Sequence, residues 1–110
     1  IGRQKRFAKI GGEMVSLATI ENLVQETWPD FDHVAVALED LQRGEQIILL
    51  TTKVDLQRSE LIEAGQKRGL APIYLAKKVF YIDEVPYLPT GKIDHSSLKI
   101  LAMKLTADVH

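Results

Sequence analysis

The chain has 110 residues, a formal net charge of -1, 45% hydrophobic and 26% charged residues, and no cysteine. This length suits one domain with one core, and the nearly neutral charge argues against a nucleic-acid partner. The lack of cysteine excludes disulfides and thiolate zinc sites and fits the cytoplasm, and no apolar run approaches the roughly 20 residues that cross a bilayer.

A tight hairpin is predicted near the start of the chain, where 7–10 and 13–15 flank Gly11 and Gly12. Paired glycines permit the positive φ that such turns need. Ser16 is a plausible N-cap for a helix that Pro29 stops. The residues that recur at helical spacing between them are Leu17, Ile20, Leu23, Val24 and Trp28.

Two strands are predicted in the middle of the chain. The first begins at 34–38, where apolar residues alternate, and we expect Gly44 and Glu45 in the turn that follows. The second, 47–52, is a continuous apolar run of β-prone residues. Such a run is typical of a central strand that is covered on both faces.

Two further helices and one strand complete the prediction. Asp55 is the expected cap of a helix over 56–67, with Gly69 just past its end. Residues 78–82 are predicted to form a strand, and Asp94 caps the last helix. The residues that share one face of that helix are Leu98, Leu101, Ala102 and Leu105.

The order of elements indicates an α/β (α+β) fold in a single domain over residues 1–110. We expect a small sandwich in which helices flank a sheet of about three strands, with the N-terminal β-hairpin added to it.

Lys92 is the most informative position for function, in the run Leu-Pro-Thr-Gly-Lys-Ile-Asp over 88–94. A lysine on a Pro/Gly turn just before a helix is a cation held by a short, rigid loop. Such a position suits a side chain that must reach an anionic reacting centre. A phosphate-binding P-loop is excluded, because it needs Gly where Pro86 stands and Ser or Thr where Ile93 stands. The plain alternative is a surface turn with a solvated lysine.

The opening segment carries a second ordered pattern: Gly-Arg-x-Lys, an apolar pair, Gly-Gly-Glu, an apolar residue and Ser, then an amphipathic helix. By themselves its cations indicate a solvated basic face or an anionic partner. These cations are Arg3, Lys5, Arg6 and Lys9.

With the 88–94 loop, the opening segment resembles the first and last motifs of the C-terminal domain of adenylate-forming enzymes, the superfamily of acyl-CoA synthetases, peptide-synthetase adenylation domains and luciferases. Within it, the segment looks most like the bifunctional bacterial 2-acylglycerophosphoethanolamine acyltransferase/acyl-[acyl-carrier-protein] synthetase. The resemblance covers essentially the whole chain. It implies a mobile C-terminal lid domain whose hinge end is 1–5, and the start at Ile1 fits a piece of a longer protein.

The resemblance also implies a two-step activity for the full-length enzyme. ATP and a carboxylate would give an acyl-adenylate and pyrophosphate, and the phosphopantetheine of acyl carrier protein would then take the acyl group. ATP and Mg²⁺ would be bound mainly by a large adenylating domain in cis, so we expect the isolated domain to be inactive. A fatty acid and a lysophospholipid are the implied substrates, and the parent enzyme would be associated with the bacterial inner membrane.

Site residues follow from the resemblance position by position. Lys92 matches the adenylation lysine, Lys5 the hinge residue, and Arg3 the arginine near the nucleotide ribose. The hairpin that would face the pantetheine channel consists of Gly11, Gly12 and Glu13. No metal site is expected, because the three histidines lack metal-ligand spacing.

Other interpretations stay open. Many relatives carry Arg three residues after the lysine, where this chain has His95, which weakens any match to common acyl-CoA ligases. The chain could nevertheless be the same domain of another acyl-CoA or aryl-acid ligase. It could also be a non-catalytic module that docks carrier protein.

Overall fold

The computed structural model describes residues 6–42, 44–71 and 74–108. Five strands and three helices occur in this part of the chain. They are β1 (Phe7–Ile10), β2 (Glu13–Ser16), α1 (Leu17–Thr27), β3 (His33–Asp40), β4 (Gly44–Thr51), α2 (Arg58–Lys67), β5 (Lys78–Tyr81) and α3 (His95–Asp108). The predicted α+β class and the order of elements are confirmed.

The strands form one mixed sheet around β4. This strand pairs antiparallel with β3 along its whole length, and its second half pairs in parallel with β5. The hairpin of β1 and β2 joins the sheet where Ile10 pairs with Gly44 at the start of β4. The expected three-stranded sheet is therefore extended by the hairpin to five strands, in the order β2-β1-β4-β3 with β5 also paired to β4.

Two apolar clusters cover the two faces of the sheet. Along β4, Ile47 and Leu49 point into one cluster, and Ile48 and Leu50 point into the other, all four at most 1% exposed. This alternation explains why β4 is apolar throughout, since both of its faces are buried. The first cluster is covered by α1 and α2 and the second by α3.

Two local predictions differ from the structure. Gly44, expected in a turn, instead begins β4, where it pairs with Asp40 of β3 as well as with β1. Helix α2 begins after Gln57 rather than after Asp55, which has a φ of 67° in the preceding turn. Gln57 donates its backbone N–H to the Glu60 carboxylate at 3.0 Å, so the helix start is set by this local contact.

Helix α3 buries the face that the sequence predicted. Leu98 and Ala102 are fully buried in the second cluster, and Leu101 and Leu105 pack against it. None of the helices in the described ranges combines the length and the apolarity that a membrane crossing requires. Because α3 is packed into the second cluster, it holds the segment that precedes it, which carries Lys92, on one face of the sheet.

Candidate functional site

Lys92 lies on a tight hairpin between Tyr87 and Ile93, which form an isolated antiparallel bridge. Leu88 donates its N–H to the Lys92 carbonyl at 2.7 Å, and its own carbonyl accepts the Gly91 N–H at 2.8 Å. Gly91 has a φ of 89°, as a three-residue hairpin loop needs at its last position. We call residues 87–93 the lysine hairpin.

The lysine hairpin is anchored on both sides. Asp94 donates its N–H to the Pro86 carbonyl at 2.9 Å, and its carboxylate accepts the Ser97 N–H at 3.1 Å and the Ser97 hydroxyl at 2.7 Å. Asp94 therefore caps α3 as predicted. The Ser97 hydroxyl bond is the main cause that lowers the pKa of Asp94, so this cap is ionised at neutral pH.

The ammonium of Lys92 is offered to the outside. Lys92 is exposed, and no described residue forms an ion pair or hydrogen bond with its side chain. Tyr87 and Leu88 beside it are also exposed, by 57% and 42%. The hairpin thus presents one unneutralised cation next to two apolar side chains, a surface that can meet an anionic group on a neighbouring body.

The second candidate surface is the turn between β1 and β2, which we call the glycine hairpin. Gly11 and Gly12 have φ values of 57° and 89°, so both central positions have the conformation of a type I′ turn. A Cβ at either residue would meet no atom within 4 Å. Within the domain, glycine is therefore required by backbone conformation and not by space, and the tip offers backbone rather than side chains.

The glycine hairpin is tied to the start of β4. Glu45 accepts the Lys9 N–H at 2.6 Å, and Gly44, with a φ of 90°, lies so near that a Cβ there would stand 3.3 Å from the Lys9 carbonyl. A shallow pocket of about 430 Å³ lies between Lys9, Gly12, Gly44 and Glu45. The sheet thus fixes the direction in which the glycine tip points.

The two hairpins are anchored at opposite ends of β4, and the residues that anchor them pack into different apolar clusters. The glycine hairpin joins β4 at Gly44, whereas the chain leads to the lysine hairpin from the far end, where Ile82 donates to the Thr51 carbonyl. Seven residues of strand separate these points by about 23 Å. Ile10 belongs to the cluster under α1 and α2, whereas Ile82 and Ile93 belong to the cluster under α3.

Known proteins are similar to this chain in sequence and in fold, although no family model matches it. An indoleacetate–CoA ligase of Aromatoleum aromaticum is 30% identical over 109 residues, which cover 96% of the chain and 21% of the ligase. A vibriobactin-specific 2,3-dihydroxybenzoate-AMP ligase of Vibrio cholerae is 27% identical over 101 residues, which cover 89% and 19%. The apo structure of MbtA from Mycobacterium smegmatis matches with a TM-score of 0.78 and 29% identity, over 88% of the chain and 19% of MbtA.

The chain is a C-terminal domain of the adenylate-forming acyl- and aryl-CoA ligase superfamily. It spans about a fifth of the length of the curated relatives that it matches. The expectation of a small domain of this superfamily is confirmed, whereas the bifunctional acyltransferase/synthetase as its nearest kin stays a prediction.

The site residues predicted for this superfamily domain fall into three places. Lys92 lies on the lysine hairpin, and the group of Gly11, Gly12 and Glu13 lies at the glycine hairpin. The structure does not bring these two groups together. Arg3 and Lys5 lie outside the described residues, so their roles in the superfamily domain stay predictions.

Sequence reasoning missed an internal ion pair in this superfamily domain. Arg6 was counted among the free cations of the opening segment, but its guanidinium pairs with Glu21 of α1. The sequence held one signal for this contact. Glu21 lies four residues after Leu17 and three before Val24, so a carboxylate stands in the apolar stripe of α1, where it needs a partner.

Burial lowers the pKa of both histidines in the described part of the chain. His33 lies between the Trp28 carbonyl, 3.0 Å from Nε2, and the Thr51 hydroxyl, 2.8 Å from Nδ1, and burial lowers its pKa. Burial and, second, the charge of Arg6 lower the pKa of His95 in the first turn of α3. Among the described residues no cluster of three or more His, Cys, Asp or Glu could hold a metal ion.

Proposed function

We propose that this domain is the mobile lid of an ATP-dependent acid–thiol ligase and that Lys92 serves its adenylation step. The observation that carries the proposal is the exposed ammonium on a braced hairpin, without a partner among the described residues. A preorganised cation stabilises negative charge that develops in a transition state. Here that charge would pass from the carboxylate and the ATP phosphates to the departing pyrophosphate.

The glycine hairpin would serve the second step, in which a thiol takes the acyl group. Because the two hairpins are anchored at opposite ends of β4, one rigid domain would use them in turn by rotating on its hinge. Lys5 would be the hinge residue and Arg3 would lie near the nucleotide ribose. The exposed backbone of Gly11 and Gly12 would let a thin pantetheine arm pass close to the domain.

Most of the ATP site and the ligands of Mg²⁺ would lie on a large adenylating domain in cis. The described residues contain no acidic or histidine cluster for a metal ion, whereas Lys92 fits an anion. The chain spans about a fifth of its curated relatives, which leaves room in such proteins for a domain of that size. This domain would therefore contribute a cation and a backbone edge, not a complete site.

For the acyl group and the acceptor we propose a fatty acid and the phosphopantetheine of acyl carrier protein, followed by transfer to 2-acylglycerophosphoethanolamine. The support is the likeness of the opening segment 2–17 to the bifunctional acyltransferase/synthetase. Association of the parent enzyme with the bacterial inner membrane would follow from its lysophospholipid substrate.

A second candidate is the same domain of an aryl-acid or acyl-CoA ligase. It is favoured by the names of the relatives, which are a CoA ligase and an AMP ligase of aromatic acids. Thioester formation by the full-length enzyme with equal concentrations of acyl carrier protein and coenzyme A separates the two. Preference for the carrier protein supports the first candidate, and preference for coenzyme A supports the second.

The role of Lys92 is tested in the full-length enzyme by carboxylate-dependent exchange of pyrophosphate into ATP. We expect Lys92→Ala to slow this exchange on the order of 10²–10³-fold, the typical loss when one preorganised donor is removed. Lys104→Ala is the matched control, because Lys104 is an exposed lysine on α3. Equal exchange rates in the two variants would refute the assignment.

A further inference from the structure

Strand β3 forms an edge of the sheet. Among the described strands it pairs with β4 alone, along all eight of its residues. The backbone N–H and C=O groups on its other side therefore point away from the sheet, and such a row can pair with a strand of another chain. The stretch 34–38 of β3 is apolar throughout and contains no proline, a composition that favours this kind of pairing.

One residue of this edge is already occupied by side chains. The Ala35 N–H donates to Oε2 of Glu21 on α1 at 2.8 Å, and the Ala35 carbonyl accepts a bond from Nη2 of Arg6 at 3.3 Å. A residue of a neighbouring antiparallel strand would offer Ala35 the same two partners, one acceptor and one donor. Arg6 and Glu21 therefore take the place of a further strand at this point of the edge.

Arg6 and Glu21 are held at the edge by their surroundings. They form an ion pair whose side chains are 25% and 21% exposed, and the Arg6 carbonyl accepts the Leu17 N–H at 3.0 Å. Charge-assisted bonds in a partly buried position are stronger and less screened by salt than a pair on the open surface. A strand that approached Ala35 would have to break this arrangement before it could pair.

Ala37 is the next residue whose backbone groups point outward, because alternate residues of a strand in an antiparallel pair face the same way. No described residue bonds to Ala37 on that side, whereas the carbonyl of Glu39 accepts a bond from Nε2 of Gln46 at 3.3 Å. One open residue offers too few bonds to hold a strand. Whether β3 can pair outward is therefore decided at Ala35.

We propose that the outer edge of β3 is a pairing surface for β3 of a second copy of this chain, and that the Arg6–Glu21 pair keeps it closed. A second copy fits because two identical edges can pair antiparallel about a two-fold axis, so that each presents the same residues to the other. Antiparallel pairing would also place the acidic ends of the two strands, Glu39 and Asp40, far apart, which avoids like charges facing each other. This inference does not depend on the role of Lys92.

The test compares two matched double variants of the full chain by sedimentation equilibrium. Arg6→Ala/Glu21→Ala frees both backbone groups of Ala35, and we expect it to dimerise on the order of 10-fold more tightly than the native chain, a typical effect of interactions between contacting residues. Arg68→Ala/Glu26→Ala is the control, because it removes an ion pair between the end of α2 and α1 without touching β3. This control should keep the monomer mass of 12.4 kDa at concentrations where the first variant has formed dimers.

Amide hydrogen exchange locates the contact between the copies. In dilute Arg6→Ala/Glu21→Ala, the Ala35 amide should exchange on the order of 10-fold faster than in the native chain, and it should be protected again where the dimer forms. Unchanged exchange at Ala35 would show that the ion pair does not close the edge. A dimer that leaves the Ala35 amide unprotected would be held by another surface, and the proposal would be wrong.

Arg6→Ala alone decides the question if the double variant does not fold. It keeps the bond from the Ala35 N–H to Glu21 and frees only the carbonyl, so it should dimerise less than the double variant but more than Arg68→Ala. Association no tighter than that of Arg68→Ala, in every folded variant that lacks Arg6, would overturn the proposal.

Discussion

The lysine hairpin and the glycine hairpin use the same turn chemistry to offer different groups. Each turns on residues with positive φ, at Gly91 in one and at Gly11 and Gly12 in the other, and a Cβ at any of these positions would meet no atom within 4 Å. The lysine hairpin then carries an exposed cation, whereas the glycine tip carries no side chain. The two turns share the need for glycine at positive φ, and they differ in loop length and in what each presents to a partner.

The two hairpins are also held in place by different contacts. The lysine hairpin depends on Asp94, Ser97 and the packing of α3, whereas the glycine hairpin is held by pairing with β4 and by the bond from Lys9 to Glu45. A single domain can therefore keep two surfaces in fixed relation while exposing them in different directions. Removing the contacts that hold one hairpin should leave the other hairpin in place, and this independence can be tested.

The largest effect is expected from Leu98→Ala, which should lower the unfolding free energy by disturbing the packing of α3 that holds the lysine hairpin. Leu98 of α3 is fully buried in the second cluster, and removing a buried leucine side chain costs about 2–5 kcal/mol of unfolding free energy because of lost burial and the cavity left behind. Urea unfolding of the domain measures the loss. Lys99→Ala, at the exposed next position, is the control, and equal stability of the two variants would contradict the placement of α3.

Gly12→Ala should separate the two hairpins in function. In the full-length enzyme we expect hand-over to fall on the order of 10²-fold because the tip is displaced at the acyl acceptor, with adenylation unchanged. Gly69→Ala is the control, because Gly69 also has a positive φ, 72°, and open space, but lies at the end of α2. A decrease of both half-reactions by one factor would show that Gly12 acts only through folding.

Gly91→Ala tests whether the lysine hairpin depends on backbone conformation alone. An alanine held at positive φ costs about 1–2 kcal/mol, so urea unfolding should show that loss, and Gly69→Ala should show a similar one. Gly91→Asn should be milder, since asparagine adopts this region more readily. An Ala variant as stable as the native chain would contradict the φ of 89° at Gly91.

The smallest effect is the loss, in acid, of the stability that the Asp94 cap contributes to α3. The Ser97 hydroxyl holds the pKa of Asp94 below its ordinary 3.8, so the carboxylate contributes stability above about pH 4. This contribution is lost as the pH falls through the lowered pKa of the folded state. Amide hydrogen exchange of Ser97 should therefore speed up in acid relative to Asp94→Asn, which retains an acceptor but does not titrate. Identical pH profiles would show that the cap is not the ionised carboxylate.

Much of the fold could be predicted because its signals are local. The glycine pair, the cap at Ser16 and the stop at Pro29 fixed the first hairpin and α1, and Ser16 does accept the Ala18 N–H. The apolar run of β4 indicated a strand that is buried on both faces. These features depend on neighbours in sequence, so a pattern suffices to find them.

Two of the three errors arose where distant contacts decide, and the third, at Asp55, arose from a local contact that was overlooked. Gly44 looked like a turn residue, but pairing with Ile10, more than thirty positions earlier, draws it into the sheet. Asp55 looked like a cap, but the contact between Gln57 and Glu60 starts α2 two residues later. Arg6 was not separated from the other cations because its partner is fifteen positions away.

The candidate site shows the same division. The sequence motif led to Lys92 and to the glycine hairpin, but neither pattern revealed that they are anchored at opposite ends of one strand. That arrangement depends on β4, which joins both, and on the clusters beneath them. The chemical roles of Lys92, Lys5 and Arg3 stay predictions that kinetics must test.

The most direct measurement supplies preformed acyl-adenylate to the full-length Lys92→Ala enzyme and follows thioester formation. If the lysine hairpin serves adenylation alone, the variant should hand over the acyl group at the rate of the unsubstituted enzyme while its pyrophosphate exchange collapses. If a folded variant loses both half-reactions to the same extent, the two hairpins do not divide the work and the account of Lys92 is wrong.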